Sequence, residues 1–148
     1  MRYYNKLLRA EGLKMNGVPR FIAKSVKFDD FDLITLGDRV VISSNVIFLT
    51  HDYSYTTGLI AIDEKPITDI GILGPIKVGN NVFIGMNSIL LPGTNIGDNV
   101  IIGAGSVVRG KLPDNVVVSG NPAIVVTDIK SHIVKMKLKG YAKVIDPK

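Results

Sequence analysis

The sequence predicts an all-β solenoid, a stack of three-sided coils, and three observations carry that prediction. Apolar residues recur every six positions at Leu36, Ile42 and Phe48, and again at Val78, Ile84, Leu90, Ile96, Ile102 and Val108. Between residues 34 and 126, Val, Ile, Gly, Asn and Asp dominate and helix formers are scarce. A beat of six does not fit the helical period of about 3.6, whereas three hexads close an 18-residue coil. Residues 18 apart then stack at the ~4.8 Å spacing of a β ladder, with Val78 beneath Ile96, Ile84 beneath Ile102 and Leu90 beneath Val108. Each coil buries its apolar sides only against its neighbours.

Taken in order, residues 1–18 read as a short N-terminal helix, with Tyr4, Leu7, Leu8 and Glu11 on neighbouring faces, and a turn at "NGVP". Such a segment caps the first coil, because an open solenoid end exposes its core. Residues 19–35, "RFIAKSVKFDDFDLITL", read as a degenerate first coil. The 30 residues from Phe48 to Val78 are not a multiple of 18, so the excess leaves the stack as a protruding loop at about residues 54–75. Its Gly, Pro, Asp and Thr suit an excursion, and long loops in compact domains are usually functional. His51, one of two histidines, stands at its root. Beyond it Gly79, Gly85, Gly97 and Gly103 recur at corners, where a side chain or a left-handed backbone would otherwise clash. The coils are expected to run over residues 19–126. Residues 127–148 form a C-terminal extension in which Ile133, Met136, Leu138 and Tyr141 sit among lysines, as a helix or strand packed outside the coils, with His132 exposed.

A chain of 148 residues, 46% of them hydrophobic, is long enough for one domain with a core and short for two. The absence of cysteine excludes disulfides, thiolate metal sites and a cysteine nucleophile. The first residues, "MRYYNKLLRAEGLK", hold too short an apolar run for a signal peptide, and no stretch approaches the ~20 apolar residues of a membrane span, so a cytoplasmic location is expected. The net charge of +5 favours anionic partners, whether nucleic acid, an acidic membrane surface or a phosphorylated small molecule. "GAGSVV" precedes no long helix, so it does not match a dinucleotide fingerprint.

The stretch "PIKVGNNVFIGMNSILLPGTNIGDNVIIGAGSVVRGKLPDNVVVSGNPA", with "IGAGSVV" and "GNPA" in combination, resembles the hexapeptide-repeat acyltransferases. That left-handed parallel β-helix family includes galactoside, maltose and serine O-acetyltransferases and many surface-polysaccharide acetyltransferases, and the resemblance covers roughly residues 33–126. It implies a left-handed coil, a homotrimer, acetyl-CoA as acyl donor, no metal, and a small-molecule or glycan acceptor instead of nucleic acid. It also implies that the loop projects towards a neighbouring subunit and covers the active site, with His51 as the catalytic base. Asp52 either orients the ring or serves as a turn residue. By position Gly85, Asn87, Gly103, Ala104 and Ser106 meet the pantetheine arm. After "GNPA" many members carry Arg where this chain has Ile124, so phosphate contacts pass to Arg109, Lys111 and Lys130. Phe83 stands where galactoside-type members often have Trp. Asp29, Asp30 and Asp32 are similar to residues that hold the acceptor, Asp30 being the favoured one.

The chemistry agrees with that assignment. Acyl transfer from a thioester to an alcohol needs a base for the hydroxyl proton and a donor for the oxyanion, and no protein nucleophile. The leading function is therefore acyl-CoA-dependent O-acylation of a sugar, nucleotide-sugar or glycan hydroxyl. Its alternatives are N-acetylation of an amino sugar, a metal-dependent hydratase of the gamma carbonic anhydrase kind, and a non-catalytic β-helical scaffold.

Overall fold

The protein is described by a computed structural model over residues 2–140 and 142–144. Short parallel strands stack on three faces. Face A is a five-stranded sheet of Lys14–Met15, Ile34–Leu36, Ile76–Val78, Asn95–Ile96 and Lys111–Leu112. Face B stacks Phe21–Ile22, Val41–Ile42, Phe83–Ile84, Ile101–Ile102 and Val116–Gly120, and face C stacks Lys27–Phe28, Ile47–Phe48, Ile89–Leu90 and Val107–Val108. We number the coils 1 to 5 from the N-terminus, one for each strand of face A.

The columns read from the hexads align rung for rung. Met15, Leu36, Val78, Ile96 and Leu112 line face A. Ile22, Ile42, Ile84, Ile102 and Val118 line face B, and Phe28, Phe48, Leu90 and Val108 line face C. All except the partly covered Phe28 are buried, and together they form one core. Inside the corners Ser88, Thr94 and Ser106 are also buried, each donating its hydroxyl to a backbone carbonyl, so the polar atoms enclosed there are paired.

The stack departs from the expected boundaries at both ends. Coil 1 begins at Lys14, so the cap is helix α1, Arg2–Ala10, alone. Leu8 enters the core, Leu7 faces solvent, and the buried Asn5 donates to the Pro19 carbonyl. At the far end the coils stop near residue 120 instead of 126. After Gly120, whose φ of +107° reverses the chain, Ala123–Asp128 returns antiparallel along Val116–Gly120. Helix α3, Ile129–Lys139, follows, with Asp128 accepting from the Ser131 amide at its N-terminus and Gly140 closing it at φ +66°. Its Ile129, His132 and Met136 turn inward, so His132 is half-buried instead of exposed. Tyr141 lies outside the described residues.

The corners use two chemistries. Left-handed positions fall to Asn45, Asn81, Asn87, Asn99 and Asn115 as well as to Gly93, Gly105 and Gly110. Asparagine tolerates this conformation, and its amide bonds the next rung, Asn81 Nδ2 to Asn99 Oδ1 and Asn99 Nδ2 to Asn115 Oδ1, both at 2.9 Å. Gly79, Gly85, Gly97 and Gly103 do not have left-handed φ. They are small because an added Cβ would strike the next coil: Gly97 for Gly79, Ala104 for Gly85, Asp114 for Gly97 and Ser119 for Gly103. No helix among the described residues is long and apolar enough to cross a membrane.

Candidate active site

Between coils 2 and 3 the chain leaves the stack at the edge where face C meets face A. Corresponding residues Thr35 and Lys77 are 42 apart, against 18 between Lys77 and Asn95. The excursion starts sooner than the expected residue 54, because His51–Asp52 already pairs antiparallel with Ile72–Leu73. The Gly74 amide then donates to the Thr50 carbonyl at 2.8 Å and pinches the neck shut. The segment is not all loop: Ser54–Ala61 forms helix α2, tied to the returning strand because the buried Thr56 hydroxyl bonds both the amide and the carbonyl of Ile70.

Thr50 is fully buried at the neck, and His51 follows it outward. The Thr50 hydroxyl donates to Asp30 Oδ2 at 2.7 Å and accepts the Asp30 amide at 3.1 Å, which fixes that carboxylate beside the imidazole. His51 Nδ1 lies 2.8 Å from Asp30 Oδ2 and 3.1 Å from Asp29 Oδ2. A carboxylate can only accept, so Nδ1 carries the ring proton and the Nε2 lone pair remains. Nε2 has no hydrogen-bond partner among the described residues. The ring is about one-third exposed, meets the edge of Tyr53, and lines a cleft of about 380 Å³ with Asp30, Asp69, Gly71, Ile72 and Leu73.

Electrostatics follow from that contact. The Asp30 hydrogen bond, helped by the charges of Asp29, Asp30 and Asp52 and opposed by partial desolvation, holds the imidazole pKa above its ordinary value. Thr50 and His51 together hold the Asp30 carboxyl below its usual range. Asp52 is also lowered, but by the hydroxyl and amide of Ser54. Its hydrogen bonds close the turn into α2, and Asp30 is the residue at the ring. Ligand atoms of Asp29, Asp30 and His51 come within 4.8 Å of one another, yet the short Nδ1 bond already joins the ring to a carboxylate. A three-histidine zinc site of the hydratase kind cannot be built from the two histidines of one chain.

The remaining candidates do not gather around His51. Gly85, Asn87, Gly103 and Ala104 lie on the edge between faces B and C. Gly85 is buried against coil 4, and only Asn87 and Ala104 of these four are exposed. The Ser106 hydroxyl cannot reach a coenzyme: it is fully buried, donating to the Gly103 carbonyl and accepting the Gly120 amide. Arg109 is exposed on the same edge as His51, at coil 4, and Lys111 is exposed just past that edge, on face A of coil 5. Lys130 is exposed on α3, and Phe83 points outward from face B at 42% exposure. Sequence reasoning missed Thr50 altogether, although a coil of 20 residues between Asp30 and Thr50 makes the two neighbours.

Comparison with known proteins agrees with this architecture. The signature described as bacterial transferase hexapeptide (six repeats) matches residues 75–110. Protein CapG of Staphylococcus aureus is 41% identical over 131 residues, 87% of this chain and 73% of that protein. Galactoside O-acetyltransferase of Escherichia coli K12 is 37% identical over 113 residues, 76% of this chain but only 52% of that protein, so the chain spans about half its length. A solved galactoside acetyltransferase in complex with coenzyme A superposes with a TM-score of 0.63 at 24% identity, over 97% of this chain and 76% of that one, which carries the left-handed parallel β-helix fold. The chain belongs to the hexapeptide-repeat acyltransferase family.

Proposed function

We propose that the protein transfers an acetyl group from acetyl-CoA to a hydroxyl of a sugar, nucleotide sugar or glycan, with His51 as general base. The observation that carries this reading is an imidazole whose Nδ1 is held by Asp30 while Nε2, beside the cleft, has no partner among the described residues. Nε2 takes the hydroxyl proton as the oxygen attacks the thioester carbonyl. The tetrahedral adduct collapses, the C–S bond breaks, and the imidazolium returns the proton to the departing thiolate. Asp30 and Asp29 stabilise the imidazolium formed between those steps.

The same reading includes a homotrimer. Outward positions on face A are polar, with Lys14, Thr35, Lys77, Asn95 and Lys111, whereas face C turns out Ile47, Ile89 and Val107 above Lys27. Asn87 and Ala104 sit on a different edge from His51, so one coenzyme touching both sets requires a second copy of the chain. Closed threefold symmetry supplies it.

The test is release of free thiol from acetyl-CoA in the presence of sugars, nucleotide sugars and amino sugars, with the mass of each product establishing whether oxygen or nitrogen is acylated. Acceptor-dependent release is expected from the native protein. Release that persists unchanged in His51→Ala, per folded subunit, overturns the mechanism.

A further inference from the structure

On the edge where faces A and B meet, across face A from the edge that carries the excursion, Arg39 interrupts a regular column of asparagines. The left-handed corner residue is Asn81 in coil 3, Asn99 in coil 4 and Asn115 at coil 5, with φ of 54°, 56° and 61°. In coil 2 it is Arg39, at φ 55°. Among the described residues, every other left-handed residue at a coil corner is Asn or Gly. An arginine here gives up a rung of the amide ladder and pays the steric cost of the left-handed region, which points to a use for its guanidinium.

Arg39 lines a groove of about 350 Å³ between face B and α3. Arg20 lies beside it on coil 1, the Asn81 amide contributes polar wall, and Phe83, Ile101 and Ile133 form the apolar side. Neither arginine has a carboxylate within ion-pair distance among the described residues. No acidic side chain lines the groove. The aspartates of that edge are engaged elsewhere: Asp38, Asp98 and Asp114 accept the backbone amides of Val18, Asn80 and Asp98. Two planar guanidinium forks without counter-charges suit a phosphate, and the half-exposed ring of Phe83 beside them suits the face of a nucleobase or the C–H face of a sugar ring. A volume of this size admits a small ligand.

We propose that this groove is a binding site for a phosphorylated ring compound, either a nucleotide or a sugar phosphate, with Arg39 and Arg20 holding the phosphate and Phe83 facing the ring. The site lies on another edge of the coil from His51 and does not depend on the acyl-transfer reading.

Equilibrium binding by calorimetry tests it on the native protein with three probes: UDP, glucose 1-phosphate and inorganic phosphate. At least one of the two ring compounds is expected to bind with Kd below ~1 mM, and inorganic phosphate at least about tenfold more weakly. Arg39→Asn retains the left-handed backbone and supplies the missing amide, so it should fold at least as well as the native chain while weakening the ring compound about tenfold or more. Arg20→Gln should act in the same direction. Lys24→Gln, which removes one exposed charge away from the groove, should leave binding unchanged. Equal weakening by all three variants, phosphate binding as tight as that of the ring compounds, or no binding of either ring compound overturns the proposal. Displacement of the bound probe by coenzyme A, with coenzyme affinity equally reduced in Arg39→Asn, also overturns it as a separate site, while leaving acyl transfer at His51 intact.

Discussion

On each of the three faces coils 3 and 4 are 18 residues apart, whereas coils 1 and 2 are offset by 20 or 21, and the two halves of the stack use their side chains differently. In the strict half, side chains that point inward are aliphatic or hydroxyl-bearing, and their partners are the equivalent residues one coil away. In the irregular half most of the extra residues bulge at the edge between faces C and A. There Asp29, Asp30, Thr50 and His51 converge with no aliphatic rung between them. Regularity serves stacking, and the site occupies the place where regularity fails.

The sharpest way to break this comparison is one substitution in each half. His51→Ala is expected to lower kcat by about 10²- to 10⁴-fold, the usual range for a general base, with little change in coenzyme affinity or thermal stability. The ring is not part of the core, and its contacts are to groups that stay solvated. Ile102→Ala should do the reverse. Its side chain is fully enclosed in the face B column, so the cavity should cost ~2 to 5 kcal/mol of stability by chemical denaturation, while the surviving folded protein keeps its specific activity. If His51→Ala melts early and retains turnover per folded site, the division between a stacking half and a chemical half is wrong.

Asp30→Asn sharpens the same division with a smaller effect. The native imidazole has its pKa raised, chiefly by the Asp30 hydrogen bond. A base acts in its neutral form, so kcat/KM should fall as pH drops through a value above the ordinary ~6.5 of histidine. Removing the Asp30 charge should move that acid limb to lower pH and reduce the plateau by about tenfold, since the imidazolium loses its nearest counter-charge while Asp29 remains. A residue that only supported the fold would change the plateau without moving the limb. The measurement is the pH profile of kcat/KM in both proteins.

The stacking half was legible from the chain because its period is exact in sequence: each aliphatic from Val78 to Val108 names its own rung. The irregular half was not. Met15, Ile22 and Phe28 are seven and six apart, with Asn16, Gly17 and Pro19 between the first two, so coil 1 passed for a cap as far as residue 18. Asp30 and His51 are 21 apart, and only a coil two residues longer than the repeat makes them neighbours. The last coil errs the other way. Leu112, four residues after Val108, fills the face A column, because the step from Asn95 to Lys111 is 16. Helix α2, with Gly58 in its middle and two adjacent threonines, has weak intrinsic preference and is held by the neck and by Thr56. Helix α3 carried readable signals in Asp128 and Gly140, and these pass unnoticed when only the hexad period is followed.

The smallest expected effect separates the two corner chemistries within the regular half. Gly105 is left-handed, at φ +70°, and a Cβ built on it meets nothing within 4 Å. It stands one coil above Asn87, which has φ +58° and accepts the Asn45 amide at 3.2 Å. Space is therefore no obstacle, and backbone conformation alone decides which residues the position accepts. Gly105→Ala should cost about 1 to 2 kcal/mol, the penalty of a Cβ in the left-handed region. Gly105→Asn should cost less, within about 0.5 kcal/mol of the native protein, because asparagine tolerates that conformation and its amide extends the ladder from Asn87 by one rung. The two variants differ from the native chain by one small exposed side chain each, so hydrophobic burial drops out of the comparison. Urea denaturation midpoints ordered native and Asn together, with Ala below, would tie the asparagines of this fold to the corner geometry. Equal losses for Asn and Ala would mean that the ladder contributes nothing, and that the recurring Asn–Asn contacts are a consequence of stacking and not a source of its stability.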